Sequence, residues 1–322
     1  MRKAERGVPH GGMASALSHC RLCPRQCGVD RLRGERGYCG AGALVEVFRY
    51  APHFGEEPPI SGTRGSGTVF FSRCTMHCIY CQNYPWSQCG DGTACSVEEL
   101  AGMLRDLAGR GCHNWNLVSP TPWLPRIAAA LELVKQDGIR LPVVYNTRGY
   151  ERPETLADAG EWVDLYLTDL RYADERTAAE ASGAPTYVRD ARRAFREMWS
   201  RAGPLQTDAA GIARRGVICR LLVLPGHAGE AIDNLRWLTE TVGTGVAVSL
   251  MAQYTPAHAA IGRPPWNRRL TQREYDAVRE EMERLGFNTG WMQNLEEPTP
   301  EPLLGYRMKP GSEPSNTEGA SG

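Results

Sequence analysis

The segment FFSRCTMHCIYCQNY, residues 70–84, carries Cys74, Cys78 and Cys81 in C-x3-C-x2-C spacing. Thiolates are soft ligands that suit zinc, copper(I) and iron–sulfur clusters. A structural zinc or an all-cysteine cluster takes four ligands, so three on one loop leave a position to fill. A [4Fe–4S] cube held by three thiols keeps one iron open to an outside ligand, which is an arrangement for chemistry. The same residues also allow a zinc site completed by His77, inside the loop, or three reduced thiols.

A second group lies upstream. Cys20, Cys23, Cys27 and Cys39 are spaced C-x2-C-x3-C-x11-C, with Pro24, Gly28, Gly34 and Gly37 between them. Four thiolates in a Gly-rich loop match either a closed zinc site or an auxiliary iron–sulfur cluster. Cys89 and Cys95 flank GDGTA and are expected to be free thiols on a surface turn, a redox pair being the alternative. Cys112 and Cys219 sit in or beside strand-like runs and are expected in the core. His53, His113, His227 and His258 show no ligand spacing. His113 and His227, at strand ends, are the two worth testing.

These residues need a scaffold, and the sequence from Gly67 onward is regular. The runs GTVFFS, NWNLVSP, PVVYNT, VDLYLTDL, GVICRLLVLPG and VAVSLMAQY read as strands with helical patterns between them. They are rich in Val, Ile and Leu with little alternation, as in parallel strands covered by helices. Ser96 with Glu99 and Thr271 with Glu274 form S/T-x-x-E capping boxes. Val97, Leu100, Leu104 and Leu107 follow the first at helical spacing; Tyr275, Val278, Met282 and Leu285 follow the second. Ile232, Leu235 and Leu238 mark another helix. Six strand–helix units predict an α/β fold, a partial parallel (β/α)6 TIM-type barrel preceded by an N-terminal cysteine-rich metal-binding extension. An open doubly wound sheet is the alternative. The expected divisions are a flexible arm over 1–19, the extension over 20–65 with a strand at LVEVFRY, the barrel over 66–305 and a disordered tail over 306–322. The three-cysteine loop follows the first barrel strand, so it falls at the carboxyl end where such enzymes build their sites.

The 322 residues carry 37 Lys plus Arg and 37 Asp plus Glu, a formal net charge of zero. No basic excess points to nucleic acid or to an anionic membrane. No apolar run reaches the ~20 residues of a membrane helix, and MRKAERGVPHGG lacks the apolar core of a secretory signal. A cytoplasmic location is expected. The eleven cysteines should then be mostly reduced and their clusters metal-binding or redox-active.

CTMHCIYC resembles the signature of the radical S-adenosylmethionine (SAM) superfamily, with Tyr80 in its aromatic slot. From about Cys20 to Asn294 the chain resembles the pyruvate formate-lyase activating enzyme-like branch. The resemblance is carried by CRLCPRQCGVDRLRGERGYCGAG, EEPPISGTRGSGTVFFSRC, CIYCQNY, NLVSPTP, VVYNTRGYE, YLTDLRYAD, LLVLPGH and LMAQYTP. It implies a [4Fe–4S] cluster on Cys74, Cys78 and Cys81, completed by the amino and carboxylate groups of SAM. It places Tyr80 beside the adenine, and Asn83, Asn116, Ser119, Thr121, Asn146, Thr147, Asp169, Arg171 and Arg220 among the cofactor-binding residues. It names no catalytic residue. The implied activity is reductive cleavage of SAM to methionine and a 5′-deoxyadenosyl radical that abstracts hydrogen from a substrate. That substrate is a glycyl-radical enzyme, or another peptide or small molecule. A non-catalytic metal-binding or electron-transfer protein is the reading from a different class. A flavodoxin- or ferredoxin-like electron donor is the expected partner. The chain departs from the branch at Pro59, where relatives often carry a cysteine, and in SPTP, TDLRY and Thr255, which leave the substrate open.

Overall fold

The computed structural model describes residues 15–295. Its strands and helices, in chain order, are β1 (Val45–His53), α1 (Pro58–Ser61), β2 (Ser66–Phe71), α2 (Tyr84–Ser87), β3 (Thr93–Cys95), α3 (Val97–Gly109), β4 (Trp115–Val118), α4 (Leu124–Gln136), β5 (Val143–Thr147), α5 (Pro153–Ala159) and β6 (Leu165–Asp169). There follow α6 (Glu175–Ser182), α7 (Tyr187–Ala202), β7 (Gln206–Thr207), β8 (Ala213–Leu222), α8 (Ala228–Val242), β9 (Ala247–Met251), α9 (Gln272–Leu285) and β10 (Gly290–Met292).

The local chemistry that starts the helices is visible. Ser96 Oγ accepts from the Glu99 amide (3.1 Å) while the Glu99 carboxylate accepts from the Ser96 amide (2.7 Å). Thr271 and Glu274 repeat the exchange at α9. Each box satisfies amides that a helix start otherwise leaves without partners.

The sheet runs β10-β9-β8-β6-β5-β4-β2-β1-β3. From β2 to β10 every pairing along this path is parallel; β1 pairs antiparallel with β2 and β3 with β1. The six expected strands are β2, β4, β5, β6, β8 and β9, in that spatial order. The short β10 is a seventh that the sequence did not announce. The sheet does not close: β3 and β10 are its edges. The fold is therefore α/β with a mostly parallel open sheet, consistent with a partial barrel.

Successive strand residues point to opposite faces. On the helix-covered face, Val69, Phe71, Trp115 and Leu117 pack with Leu100, Leu104 and Leu107 of α3 and with Ile127 and Val134 of α4. Further along, Tyr145, Tyr166, Val217, Cys219, Leu221, Val248 and Leu250 pack with Phe195 and Met198 of α7, Leu235 and Leu238 of α8, and Val278 and Met282 of α9. Each large side chain buried there contributes about 1.5–3 kcal/mol. On the opposite face Ile60 of α1 meets Val144, Leu165, Leu167, Ile218 and Ala247. This small apolar plug fills the amino-terminal part of that face, and polar residues take over toward the carboxyl ends.

Of the expected arm, residues 15–19 are described and are anchored at one point: Leu17 is buried and its carbonyl accepts from the Arg31 amide at 2.8 Å, while Ser15, Ser18 and His19 are exposed. The expected tail, the rest of the arm and the last ten residues assigned to the barrel lie outside the described residues. No helix among the described residues is long and apolar enough to cross a membrane.

Candidate active site

The three-cysteine loop leaves β2 at its carboxyl end. Arg73, just before the first thiol, has φ of +71°, a left-handed conformation that non-glycine residues seldom adopt. The loop is then tied down from three sides. The His77 and Ile79 amides donate to the carbonyls of Ser182 and Ala181 at the end of α6 (3.2 and 2.8 Å), and the Ala260 amide donates to the Ile79 carbonyl (2.9 Å). Arg25, from the four-cysteine extension, donates Nε to the Thr75 carbonyl at 3.0 Å.

Cys74 and Cys78 are buried and Cys81 is half-buried. Ser182 Oγ donates to Cys78 Sγ at 2.9 Å, and Cys81 Sγ lies 3.2 Å from Ser87 Oγ. Burial pushes the Cys78 thiol up to about 11, against the pull of the Arg171 guanidinium. Burial likewise raises the Cys81 thiol, while Ser87 and Arg148 work the other way. A bound metal reverses this balance, because a coordinating thiol loses its proton outright. The other cysteines are placed elsewhere. Cys95 and Cys112 pack in the α3–α4 core and Cys219 in the larger one, as expected for the last two. Cys89 is exposed, and Cys20, Cys23, Cys27 and Cys39 line a separate hollow.

Tyr80 is buried, with its hydroxyl bonded to that of Tyr172; Tyr172 continues to Ser182 Oγ at 2.5 Å and so to Cys78. Trp266 stacks on the Tyr80 ring at 5.6 Å between centroids, and His227 stacks on Trp266 at 4.6 Å. His227 therefore stands at the periphery of the site. His113 takes a different place, before β4, with Nε2 accepting from the Arg64 amide at the amino end of the sheet. Asn83 follows Cys81, and its carbonyl accepts from the Ser87 amide in α2.

The plug-side face of the sheet carries Asn116, Asn146, Asp169 and Arg220 on β4, β5, β6 and β8, and Ser249 on β9. Register pairs Asp169 with Arg220 and Arg220 with Ser249. Two carboxylates from the β1–α1 loop complete this set. Arg220 donates Nε to Glu57 at 2.7 Å and Nη2 to both Glu57, at 2.6 Å, and Glu56. Glu56 in turn accepts from Asn116 Nδ2 at 2.8 Å and from Asn146 Nδ2 at 3.4 Å. Burial alone would raise the Glu57 carboxyl, but Arg220 beside it holds it below its ordinary value. Arg171 donates to Asp169 at 2.6 and 2.9 Å, and its Nη1 lies 3.6 Å from Cys78 Sγ. A polar floor thus runs from β4 to β9 beneath the thiol loop.

Ser119 ends β4 with φ of +62° and accepts from Arg148. Thr121 and Thr147 are held apart from the floor. Thr147 shares the parity of Tyr145, on the helix-covered face, and both threonine hydroxyls donate to the buried Glu151, at 2.6 and 2.5 Å. Burial pushes Glu151 up to about 7. Sequence reasoning named none of Glu56, Glu57, Arg148, Glu151, Tyr172 and Ser182. The visible hint was the pair of carboxylates ahead of Pro58-Pro59 in an otherwise neutral loop.

The donor set fits a cluster with one free iron. Three thiols share one loop, hydroxyl and guanidinium groups face their sulfurs, and buried polar atoms nearby lack partners within the chain, namely His77 Nε2, Asn116 Oδ1 and Thr255 Oγ1. Among the described residues no three Cys, His, Asp or Glu side chains are gathered for a single metal ion. A cube, which spreads its ligands around its corners, does not require them to be.

Residues 68–203, which include the three thiols, match the family model of the Radical SAM superfamily. The chain is 28% identical over 282 residues to an uncharacterized protein of Methanocaldococcus jannaschii, MJ0674, covering 84% of this chain and 76% of that one. Among solved structures it resembles SuiB of Streptococcus suis at 13% identity and a TM-score of 0.44, covering 69% of this chain and 47% of that one. The chain thus spans about half the length of SuiB. A probable 2-pyrone-4,6-dicarboxylic acid hydrolase of Acinetobacter baumannii aligns at 12% identity and a TM-score of 0.29, over 67% of this chain and 66% of that one. The thiol loop thus lies inside the segment of the chain that matches the Radical SAM superfamily model, residues 68–203.

Proposed function

We propose that this protein is a radical SAM enzyme whose cluster is held by Cys74, Cys78 and Cys81. The observation that carries the reading is the meeting of three thiols at the end of β2 with the polar floor of Asn116, Asn146, Asp169 and Arg220. When bound, the cluster supplies an electron to the sulfonium of SAM, which yields methionine and a 5′-deoxyadenosyl radical able to take hydrogen from a substrate.

The chain's own residues bind, orient and shield. Ser182 and Arg171 aim donors at Cys78 and so stabilise its thiolate form. Tyr80, held by Tyr172 and stacked under Trp266, offers an aromatic wall for a base. Asn116 Oδ1 is a free acceptor for an ammonium group, and the Asp169–Arg171 pair a polar contact for the methionyl end. A flavodoxin- or ferredoxin-like protein is the proposed electron donor, because such clusters work at the low end of a range reaching about −700 mV.

On the resemblance to activating enzymes, we further propose a protein glycine as the site of hydrogen abstraction. Anaerobic reconstitution, reduction and product analysis test the first proposal. Wild type should form 5′-deoxyadenosine and methionine, and Cys78→Ala should form neither; normal cleavage by Cys78→Ala would overturn the site. Deuterium transfer from a labelled glycyl-radical enzyme into 5′-deoxyadenosine tests the second. Transfer only from other peptides or small molecules would replace it.

A further inference from the structure

Cys20, Cys23, Cys27 and Cys39 are separated by up to nineteen positions, yet all four line one hollow. The backbone builds that hollow. The Cys20 amide donates to the Val29 carbonyl (3.0 Å), the Gly28 amide returns to the Cys20 carbonyl (2.9 Å) and the Gln26 amide donates to Cys23 (3.0 Å). Two residues of this hairpin, Gln26 and Gly28, have φ of +42° and +70°. Gly37 lies so close to Cys27 that a Cβ there would sit 2.8 Å from its sulfur. None of the four thiols is in a disulfide.

The kind of guest follows from how the thiols are grouped. A tetrahedral zinc ion with Zn–S bonds of about 2.3 Å draws its sulfurs to roughly 3.8 Å from one another. Among the described residues no three potential ligands are gathered for a single ion. Four thiols that line one hollow without being gathered on a single point suit a polynuclear guest, which takes one sulfur at each outer corner.

The charge of the guest follows from two cations. Arg31, only 2% exposed, donates to the carbonyls of Gly42 (2.8 and 2.5 Å) and Pro122 (2.6 Å). Arg25 donates to the carbonyls of Thr75 and Gly183 and lies 3.4 Å over the Tyr38 ring. Both line the hollow, and among the described residues neither forms an ion pair. A guanidinium buried like that of Arg31 and bonded only to neutral groups carries a desolvation cost of several kcal/mol unless an anion stands by, and the half-buried Arg25 adds a second positive charge at the same wall. A thiolate-bound cluster is such an anion.

We propose that Cys20, Cys23, Cys27 and Cys39 hold a second [4Fe–4S] cluster, with Arg25 and Arg31 as its counter-cations, and that this site does not hold zinc. The assignment stands independently of the reading of Cys74, Cys78 and Cys81. The test uses the full chain, reconstituted anaerobically with ferrous iron and sulfide in the presence of equimolar zinc. Wild type should bind about eight irons and eight sulfides, and a Cys74→Ala/Cys78→Ala/Cys81→Ala variant about four of each, with visible absorption that bleaches on reduction. A Cys20→Ser/Cys23→Ser variant should lose half of the wild-type iron and sulfide. Retention of one zinc without sulfide in the triple variant would overturn the proposal. So would wild type that saturates at about four irons, all of them lost in the triple variant. Should the triple variant fail to fold, the wild-type count against Cys20→Ser/Cys23→Ser decides. Failure of the other site looks different, because iron and sulfide would then be equal in wild type and triple variant.

Discussion

Arg220 holds two carboxylates at once, and all three side chains are largely withdrawn from water. The attraction in such a group offsets the loss of hydration only while every member is present. Arg220→Met should therefore destabilise the protein by about 3–5 kcal/mol at neutral pH. The loss should shrink in acid as Glu57, no longer held below its ordinary value by Arg220, becomes able to protonate; urea midpoints at two pH values would show it. Glu151 behaves in the opposite sense. Burial raises its carboxyl to about 7, so the folded state binds this proton more tightly than the unfolded chain. No penalty exists below the unfolded value near 4.5; it grows as pH rises and is complete above about 7, where it amounts to roughly 3 kcal/mol. Glu151→Gln should therefore gain stability relative to wild type between about pH 5 and pH 8, and identical pH dependence of the two would contradict this reading. At this scale the thiols were legible because their chemistry is written in local spacing. Glu56 and Glu57 were not, because their partner is more than 160 positions away and only the fold makes them neighbours. Thr121 and Thr147 illustrate the reverse: the resemblance put them among the cofactor-binding candidates, but strand parity turns Thr147 toward the helices and both serve Glu151.

The elements were read with more success than their ends. Ser96–Glu99 and Thr271–Glu274 were recognisable as helix starts because a capping box is complete within four residues. Ser96→Ala should cost about 1 kcal/mol, measured as a shift in the denaturation midpoint. The seventh parallel strand escaped notice because Gly290–Met292 is three residues long and takes its conformation from β9. Turns that hold strand ends together are likewise invisible in composition. Gly149 follows β5 with φ of +80°, and a Cβ there would lie 2.4 Å from the Asp169 carbonyl oxygen, a rigid backbone atom. Gly149→Ala should cost roughly 2–4 kcal/mol from left-handed strain and overpacking together, read as a lowered thermal midpoint. It should also displace Asp169 from Arg171.

At the scale of the molecule, the extension is joined to the rest of the structure and does not stand apart. Arg25 bonds to Thr75 in the thiol loop and to Gly183 beyond α6, and Arg152 reaches back to the Arg21 carbonyl. A cation's hydrogen bond contributes about 1.5–3 kcal/mol. Arg25→Ala should therefore loosen this docking, and limited proteolysis should cut the Arg-rich stretch 31–36 faster than in wild type. An unchanged cleavage rate would mean that the docking rests on other contacts. The parallel character of the six central strands and the partial nature of the barrel were readable from the number of apolar runs, whereas the strands that form its edges, β3 and β10, were not, since both are only three residues long.

The ring of Tyr38 is sandwiched between Arg25 and His77: the guanidinium lies 3.4 Å from its centroid on one side, and the imidazole stacks at 4.3 Å. One of these neighbours borders the four-thiol hollow and the other belongs to the three-thiol loop. With both proposed centres filled, the same aromatic ring would stand between the walls of the two guests, so Tyr38 is the side chain through which one could feel the other.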